Sequence, residues 1–433
     1  MAMIAYQALS QKMLPLIRAT YNNKFFLWNM FGNIGPLVFA LFAVPYIYGH
    51  SSKEYVGFIT ITWAAVGYTG LFDFGLSRAL FYFAAASKFN QQTDLEGAIR
   101  KSVIFAIGLS IAINVLLFVC EKQLSASLAI RSSDQLAALF VIAFSLPIYL
   151  VSNMIRSSLE GLELFKEANI FKFAAYISLF VCPAVLISVG DRSLAHVCEA
   201  YGAVRLICCL YALTQLLPRL VERRIPAAEQ VSIPIRQIIG FGGWATVSST
   251  ISPLMVYGDR FALAYFKGAS AIAIYALLQE FIGKTILLSS SYVTSMQPKM
   301  GYLAEGEAIE LYRREHRNVI VFSAIIYAAC LLVSPVFVAF WLNVRIAEVA
   351  FLAIAMSIGF MFNSMAQAPL AYLLARGHPR KIAQAHVIEA LLYFPLLIVA
   401  AMYHGVIGAA VVGVFRQIFD YGALSWQIRR QTV

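Results

Sequence analysis

Charge is the scarcest property of this 433-residue sequence. Asp, Glu, Lys and Arg together make 13% of it, against about 25% in soluble domains. That shortage excludes an ordinary soluble protein and a disordered one. Six cysteines, none at ligand spacing to a histidine or a second cysteine pair, exclude a disulfide scaffold and a metal cluster. No Walker A pattern is present, so the chain is not expected to hydrolyse ATP itself. There is no nucleophile elbow and no loop long enough for a catalytic domain outside the apolar runs. No cofactor and no metal is expected.

What fills the chain is apolar: 61% of residues are hydrophobic and the mean hydropathy is +0.75. A bilayer core needs about 20 apolar residues as a helix. Twelve runs qualify, at 25–49, 55–84, 102–120, 136–155, 173–190, 194–217, 237–266, 270–295, 318–343, 349–375, 384–403 and 405–427. They are continuous, unlike the ~10-residue alternating strands of a membrane barrel, and in lipid only a helix satisfies such a backbone internally. The expected fold is an all-α integral membrane protein. The longest expected loops, at 218–236 and 296–317, are about 20 residues each.

The net charge of +11 invites a nucleic-acid partner, but the bases sit between apolar runs, so topology explains them and no nucleic acid is expected. The N-terminal segment, the even-numbered loops and the C-terminus carry 22 Lys and Arg, and the odd-numbered loops carry 6. That bias places both termini in the cytoplasm. Met3, Ile4, Leu9, Met13, Leu14 and Ile17 suggest an amphipathic segment on the inner surface.

The halves suggest a repeat. Gly161 and Gly377, 216 residues apart, each end a run and open a short polar stretch. The expected organisation is an N-lobe (1–217, six helices), a cytoplasmic linker (218–236) and a C-lobe (237–433, six helices).

Charge inside a bilayer is expensive and usually faces a partner or a wet cavity. Five bases (Arg78, Arg205, Arg260, Lys284, Arg416) and six acids (Asp73, Glu199, Asp259, Glu280, Glu389, Asp420) fall inside the runs. Glu280 and Lys284 share a helix face, about 40° apart, as do Arg416 and Asp420. Each is readable as a self-neutralising pair or as part of a polar face. Asp73 and Arg78 point about 140° apart and need separate partners. Glu389, with His386 one turn before it, is either a proton-holding carboxyl or an interhelical hydrogen-bond partner.

Several stretches resemble one family. Gly70-Leu71-Phe72-Asp73-Phe74-Gly75-Leu76-Ser77-Arg78-Ala79-Leu80 is similar to the second-helix segment of Wzx-type polysaccharide flippases. Gly258-Asp259-Arg260-Phe261 is similar to their seventh-helix segment. Leu159–Phe165 and the run ending Pro298-Lys299-Met300 are similar too. These flippases belong to the multidrug/oligosaccharidyl-lipid/polysaccharide exporter (MOP) superfamily. The resemblance implies twelve helices in two six-helix lobes that rock between inward-open and outward-open states. It implies passage of an undecaprenyl-pyrophosphate-linked oligosaccharide across a bacterial inner membrane, in company with membrane lipids and polysaccharide-assembly proteins. On that basis Arg78, Arg260, Lys284 and Arg416 are the expected substrate-binding residues. Asp73, Asp259, Glu280, Glu389 and Asp420 are the expected ion-coupling or pairing residues. A multidrug or cation antiporter of the same superfamily is the alternative, and a membrane enzyme of polysaccharide assembly a more distant one.

Overall fold

The structure is a computed structural model. It describes residues 2–430 except 70–71, 89, 91, 122, 124–131, 223–229, 268 and 343–344. Its side-chain description leaves out 2–23, 53, 61, 64–65, 68, 269–273, 341–342 and 348. Among the described residues there are thirteen helices and no strand, only an isolated parallel bridge between Thr93 and Val231. Eight helices are long and apolar enough to cross a membrane. The chain divides by its contacts into unit 1 (Met1–Ile239) and unit 2 (Gly240–Val433).

Unit 1 holds α1 (Ala2–His50), α2 (Lys53–Tyr68), α3 (Leu76–Ala86), α4 (Leu95–Val119), α5 (Ser133–Gly161), α6 (Phe165–Ser188) and α7 (Leu194–Glu222). Short polar residues start three of them. Ser52, Asp94 and Ser132 each accept a hydrogen bond from the backbone N–H three residues on, satisfying a donor that the first turn leaves free. The expected second run is broken. Phe74 and Gly75 take left-handed backbone angles (φ 49° and 70°), so the chain turns between α2 and α3. Helix α5 is the hub and packs against α3, α4, α6 and α7. Its contact with α3 needs a glycine, because a Cβ on Gly161 would lie 2.5 Å from the Phe81 carbonyl oxygen. Lipid supplies no hydrophobic drive between helices, so close backbone packing of this kind holds them together. The N-terminal amphipathic face expected at 2–23 lies outside the described side chains; the backbone there is helical and continuous with α1.

Unit 1 also takes the end of the linker. Val231 exchanges backbone hydrogen bonds with Gln92 and Asp94, and Lys101 Nζ donates to Ser232 Oγ and the Ile233 carbonyl at 2.8 and 2.9 Å.

Unit 2 is reached through α8 (Ile235–Lys267), which begins five residues before it. The unit continues with α9 (Ala269–Gly283), α10 (Ile286–Tyr302), α11 (Glu305–Leu342), α12 (Ile346–Ala375) and α13 (Pro379–Arg429). Its expected first-to-second step is again a long helix followed by a broken run, here at Lys284–Thr285 between α9 and α10. Its hub is again the fourth run, α12, which packs against α9, α10, α11 and α13. Helix α13 supplies two runs. Gly405 (φ 57°, ψ −134°) reverses it, and its arms pair back on each other from Lys381–Gln427 through Glu389–Arg416 to the Ala400–Gly408 close approach.

Two expectations are corrected. Residues 296–317 are not a loop: α10 continues to Tyr302 and α11 starts at Glu305, so α11, at about 57 Å, outruns the hydrocarbon core. Gly161 and Gly377 are not equivalent either. Each hub helix ends in a turn closed by a bond from the residue after the left-handed position back to the carbonyl five before it, Leu164 to Leu159 and His378 to Leu373. The left-handed residues are Glu163 and Gly377, so Gly377 matches Glu163, while Gly161 is helical and serves packing.

Candidate functional site

The interior charges gather into one cluster in each unit. In unit 2, α8 carries Asp259 and Arg260 well inside a continuous helix, and α9 faces them with Tyr275, Gln279 and Glu280, which lie on successive turns. Asp259 is buried and accepts from Tyr275 Oη at 2.5 Å, Gln279 Nε2 at 2.9 Å and the Arg260 N–H at 2.7 Å. Arg260 donates to Gln279 Oε1 at 2.7 Å and to Glu280 Oε1 at 2.9 Å, over the Tyr257 ring. Glu280 also holds Lys284, 3.2 Å away across one helical turn. Glu280 and Lys284 are 41% and 58% exposed, so this end of the chain of charges is open to whatever enters. Lys284 stands in the break after α9, where the helix ends.

The hairpin of α13 supplies the other end. Arg416 and Asp420 lie four apart on its second arm, yet do not pair with each other. Arg416 reaches Glu389 of the first arm at 3.3 Å, over the Tyr393 ring. Asp420 faces His386 at 3.3 Å, and the other nitrogen of His386 lies 2.9 Å from Ser248 Oγ of α8. Ligand-capable atoms of His386, Glu389 and Asp420 come within 4.8 Å of one another. Two hard carboxylate oxygens and an imidazole at that spacing can hold a proton or a small cation. A small cavity of about 20 Å³ lies where Asp259, Tyr275, Gln279, Tyr393, Arg416 and Gln417 converge, room for about one water-sized guest.

In unit 1, Asp73 is a backbone cap. Its two oxygens accept from the N–H groups of Gly75 and Ser77, at 2.7 and 3.3 Å, at the start of α3. Arg78 is exposed two residues into that helix and feels the Asp73 charge. The stronger concentration of charge lies beside it, where Asp73 also acts on Arg156. Arg205 of α7 is 5% exposed, donates to Ser152 Oγ at 2.8 Å and to Asn153 Oδ1, and sits 5.1 and 5.0 Å from the Tyr149 and Phe171 rings. Lys172 of α6 donates to Asn33 of α1, and Arg156 of α5 holds Glu160 at 2.6 Å. All three cations act on the hydroxyl of Tyr176, which is half-exposed. Sequence reasoning placed Arg156 and Lys172 in loops, because each stands one residue outside an apolar run; both lie within the continuous helices α5 and α6.

No family model matches the chain. A Shigella flexneri protein provisionally named an O-antigen transporter is 27% identical over 415 residues, 93% of this chain and 96% of that protein. Among solved structures, a mutant of the Vibrio cholerae MATE transporter VcmN matches with TM-score 0.76 at 15% identity, over 95% of this chain and 96% of that one. A MATE protein in a bent conformation matches with TM-score 0.80 at 12% identity, over 95% and 94%. A MOP-superfamily transporter from Pyrococcus furiosus, described as having a binding pocket of reverse polarity, matches with TM-score 0.73 at 14% identity, over 95% of each chain. The chain is thus a multi-pass membrane protein with the fold of the MATE transporters, similar in sequence over nearly its whole length to a protein named as an O-antigen transporter.

Proposed function

We propose that this protein is a flippase. It carries a pyrophosphate-linked oligosaccharide on an undecaprenyl lipid from the inner to the outer leaflet of the bacterial inner membrane, by alternating access coupled to an ion. Both termini are then cytoplasmic, a placement that the Lys and Arg distribution supports. The observation that carries the reading is the sequence likeness to an O-antigen transporter across 93% of the chain, since the MATE fold alone serves several cargoes. The charge supports it. Arg156, Lys172 and Arg205 all act on the Tyr176 hydroxyl, Arg205 being held by neutral groups, and they suit an anionic linkage. Arg260 and Lys284 on their half-open face, with Arg78 and Arg416, extend that role to the expected binding set. The His386, Glu389 and Asp420 cluster is the coupling site in this reading.

Export of a cationic drug is the second reading. The same acid cluster favours it, as do the multidrug MATE neighbours. Mass spectrometry of lipid-linked glycans in cells with and without the protein separates the two. Accumulation of undecaprenyl-pyrophosphate-linked single repeat units on the inner leaflet is the expected outcome and identifies the sugar. An unchanged lipid-linked pool together with lost drug resistance would move the assignment to the antiporter.

A further inference from the structure

The start of α11 and the end of α13 enclose a second cavity in unit 2, whose α13 lining begins at Tyr421, the residue after Asp420. Its volume is about 350 Å³, within the range of small-molecule pockets. Tyr312, Arg313 and His316 of α11 line one side, and Tyr421, Trp426 and Arg429 of α13 the other. The walls are ordered. Tyr312 stacks on His316 with centroids 5.2 Å apart, and Tyr421 Oη lies 3.2 Å from His316 Nε2. Arg313, Trp426 and Arg429 are exposed at the rim. No carboxylate lines the cavity. Glu315, the neighbouring acid, is held by Arg314, Tyr292 and Asn318.

This is the end of the molecule that the Lys and Arg bias assigns to the cytoplasm. Arg314, Arg317 and Arg430 stand beside the two rim arginines, and Arg430 lies 3.8 Å over the Trp426 ring. Tryptophan and tyrosine with arginine mark the level of lipid headgroups. Towards the bilayer centre the same two helices leave apolar side chains exposed: Val321, Ile325 and Leu332 on α11, and Phe415 and Phe419 on α13. A group held here thus has two guanidinium forks at the rim, hydroxyl donors within and a greasy track leading away along the protein surface. Basic pockets between transmembrane helices at the cytoplasmic face recognise anionic lipid headgroups in this way.

We propose that this cavity is a binding site for the phosphate headgroup of an anionic phospholipid of the inner leaflet, with the acyl chains along α11 and α13. It shares no lining residue with the cavity at Asp259 and Arg416 and does not depend on which cargo is carried. Phosphate is the chemistry recognised, and a polyprenyl phosphate is the other lipid that offers it.

The test is native mass spectrometry of the full-length protein titrated with phosphatidylglycerol, phosphatidylcholine or undecaprenyl phosphate. Selective retention of phosphatidylglycerol is expected. Arg313→Gln and Arg429→Gln should each weaken it about fivefold, and the pair about 25-fold, while Arg313→Lys with Arg429→Lys retains most of it. Arg219→Ala, which removes an exposed cation elsewhere at the same membrane face, should leave retention unchanged. Equal retention of phosphatidylcholine by the wild-type protein would overturn the proposal, as would preference for undecaprenyl phosphate. Either result is read on the native chain and needs no variant to fold. Full retention by the folded double Gln variant would overturn it too.

Discussion

The buried pair between Glu389 and Arg416 gives the sharpest test of how unit 2 holds charge. Their side chains are 2% and 8% exposed and 3.3 Å apart. Glu389 also feels Asp420, and Arg416 also acts on Asp259. Removing one member of such a pair leaves an uncompensated charge and costs about 3–5 kcal/mol, whereas replacing both by apolar groups is neutral or stabilising by about 1–4 kcal/mol. Arg416→Gln leaves Glu389 and Asp420 facing each other, so it should be the worse single change. Glu389→Gln leaves Arg416 with Asp259 in reach, so its cost falls at the lower end. For a folding unit of this size the singles lower the melting temperature by about 6–20 °C. The double Glu389→Leu/Arg416→Leu variant should recover most of that. Thermal unfolding in a fixed detergent, followed by size-exclusion chromatography, reads all three. Additive effects, within about 0.5 kcal/mol, would refute the coupling between the two side chains. The double variant also separates stability from transport, because a folded protein that has lost ion-dependent transport assigns the pair a part in transport. One that transports at the wild-type rate would remove it from that role.

Gly161→Ala drives a methyl to 2.5 Å from the Phe81 carbonyl and 2.8 Å from the Ala84 Cβ, and should destabilise by about 1–3 kcal/mol in the same melt. Gly57→Ala, with nothing within 4 Å, should not. At the start of α5, burial raises the Asp134 carboxyl, but hydrogen bonds from Ser193 Oγ and the Leu194 and Ala195 N–H groups outweigh it and hold the group below its usual value. A depressed acid stabilises above its unfolded pKa of about 3.9 and loses that as pH falls through the folded value. Hydrogen exchange of residues 189–196 should therefore be flat from pH 7 to about 4.5 after correction for intrinsic rates and rise below pH 4, and Asp134→Ala should raise it above pH 4 and converge with the wild type in stronger acid. Arg260→Ala and Lys284→Ala should lower substrate transport with expression intact, and full transport by both would take them out of the binding set. Arg205→Met keeps the packing between the Tyr149 and Phe171 rings but removes the cation. It should cut transport of the pyrophosphate-linked substrate more than tenfold, measured in vesicles, while a neutral lipid-linked analogue is unaffected.

The apolar runs carried the fold into view because bilayer thickness and backbone satisfaction allow few solutions. The intramembrane charges were visible for the same reason, since each interrupts a run. Their partners were not. Spacing along one helix suggested Arg416 with Asp420, but the hairpin at Gly405 brings Glu389 and His386 opposite them from residues 27 and 34 positions away. Glu280 with Lys284 could be read because both lie on one turn. The break at Phe74–Gly75 follows from a left-handed non-glycine residue, which hydropathy does not register. Arg156 and Lys172 escaped because the windows ended beside them, although α5 and α6 continue through both positions.

The two units meet the difficulty of intramembrane charge by different means. In unit 2, Arg260, Lys284 and Arg416 each have a carboxylate within 3.3 Å, so the cations there are neutralised by the protein. In unit 1, Arg156 holds Glu160, which also acts on Lys172, and Asp73 acts on Arg156 too, whereas Arg205 is held by an amide, a hydroxyl and aromatic rings. Neutral partners solvate a cation without cancelling its field. One uncancelled charge costs about 2.5–3.5 kcal/mol on insertion scales, a cost that water lowers and a bound anion lowers further. A cationic cargo would be repelled by the same field. The solvation of Arg205 by neutral groups thus supports the anionic cargo proposed above. It also leaves the acids of unit 2, with His386 beside them, as the groups whose charge an ion or proton can balance.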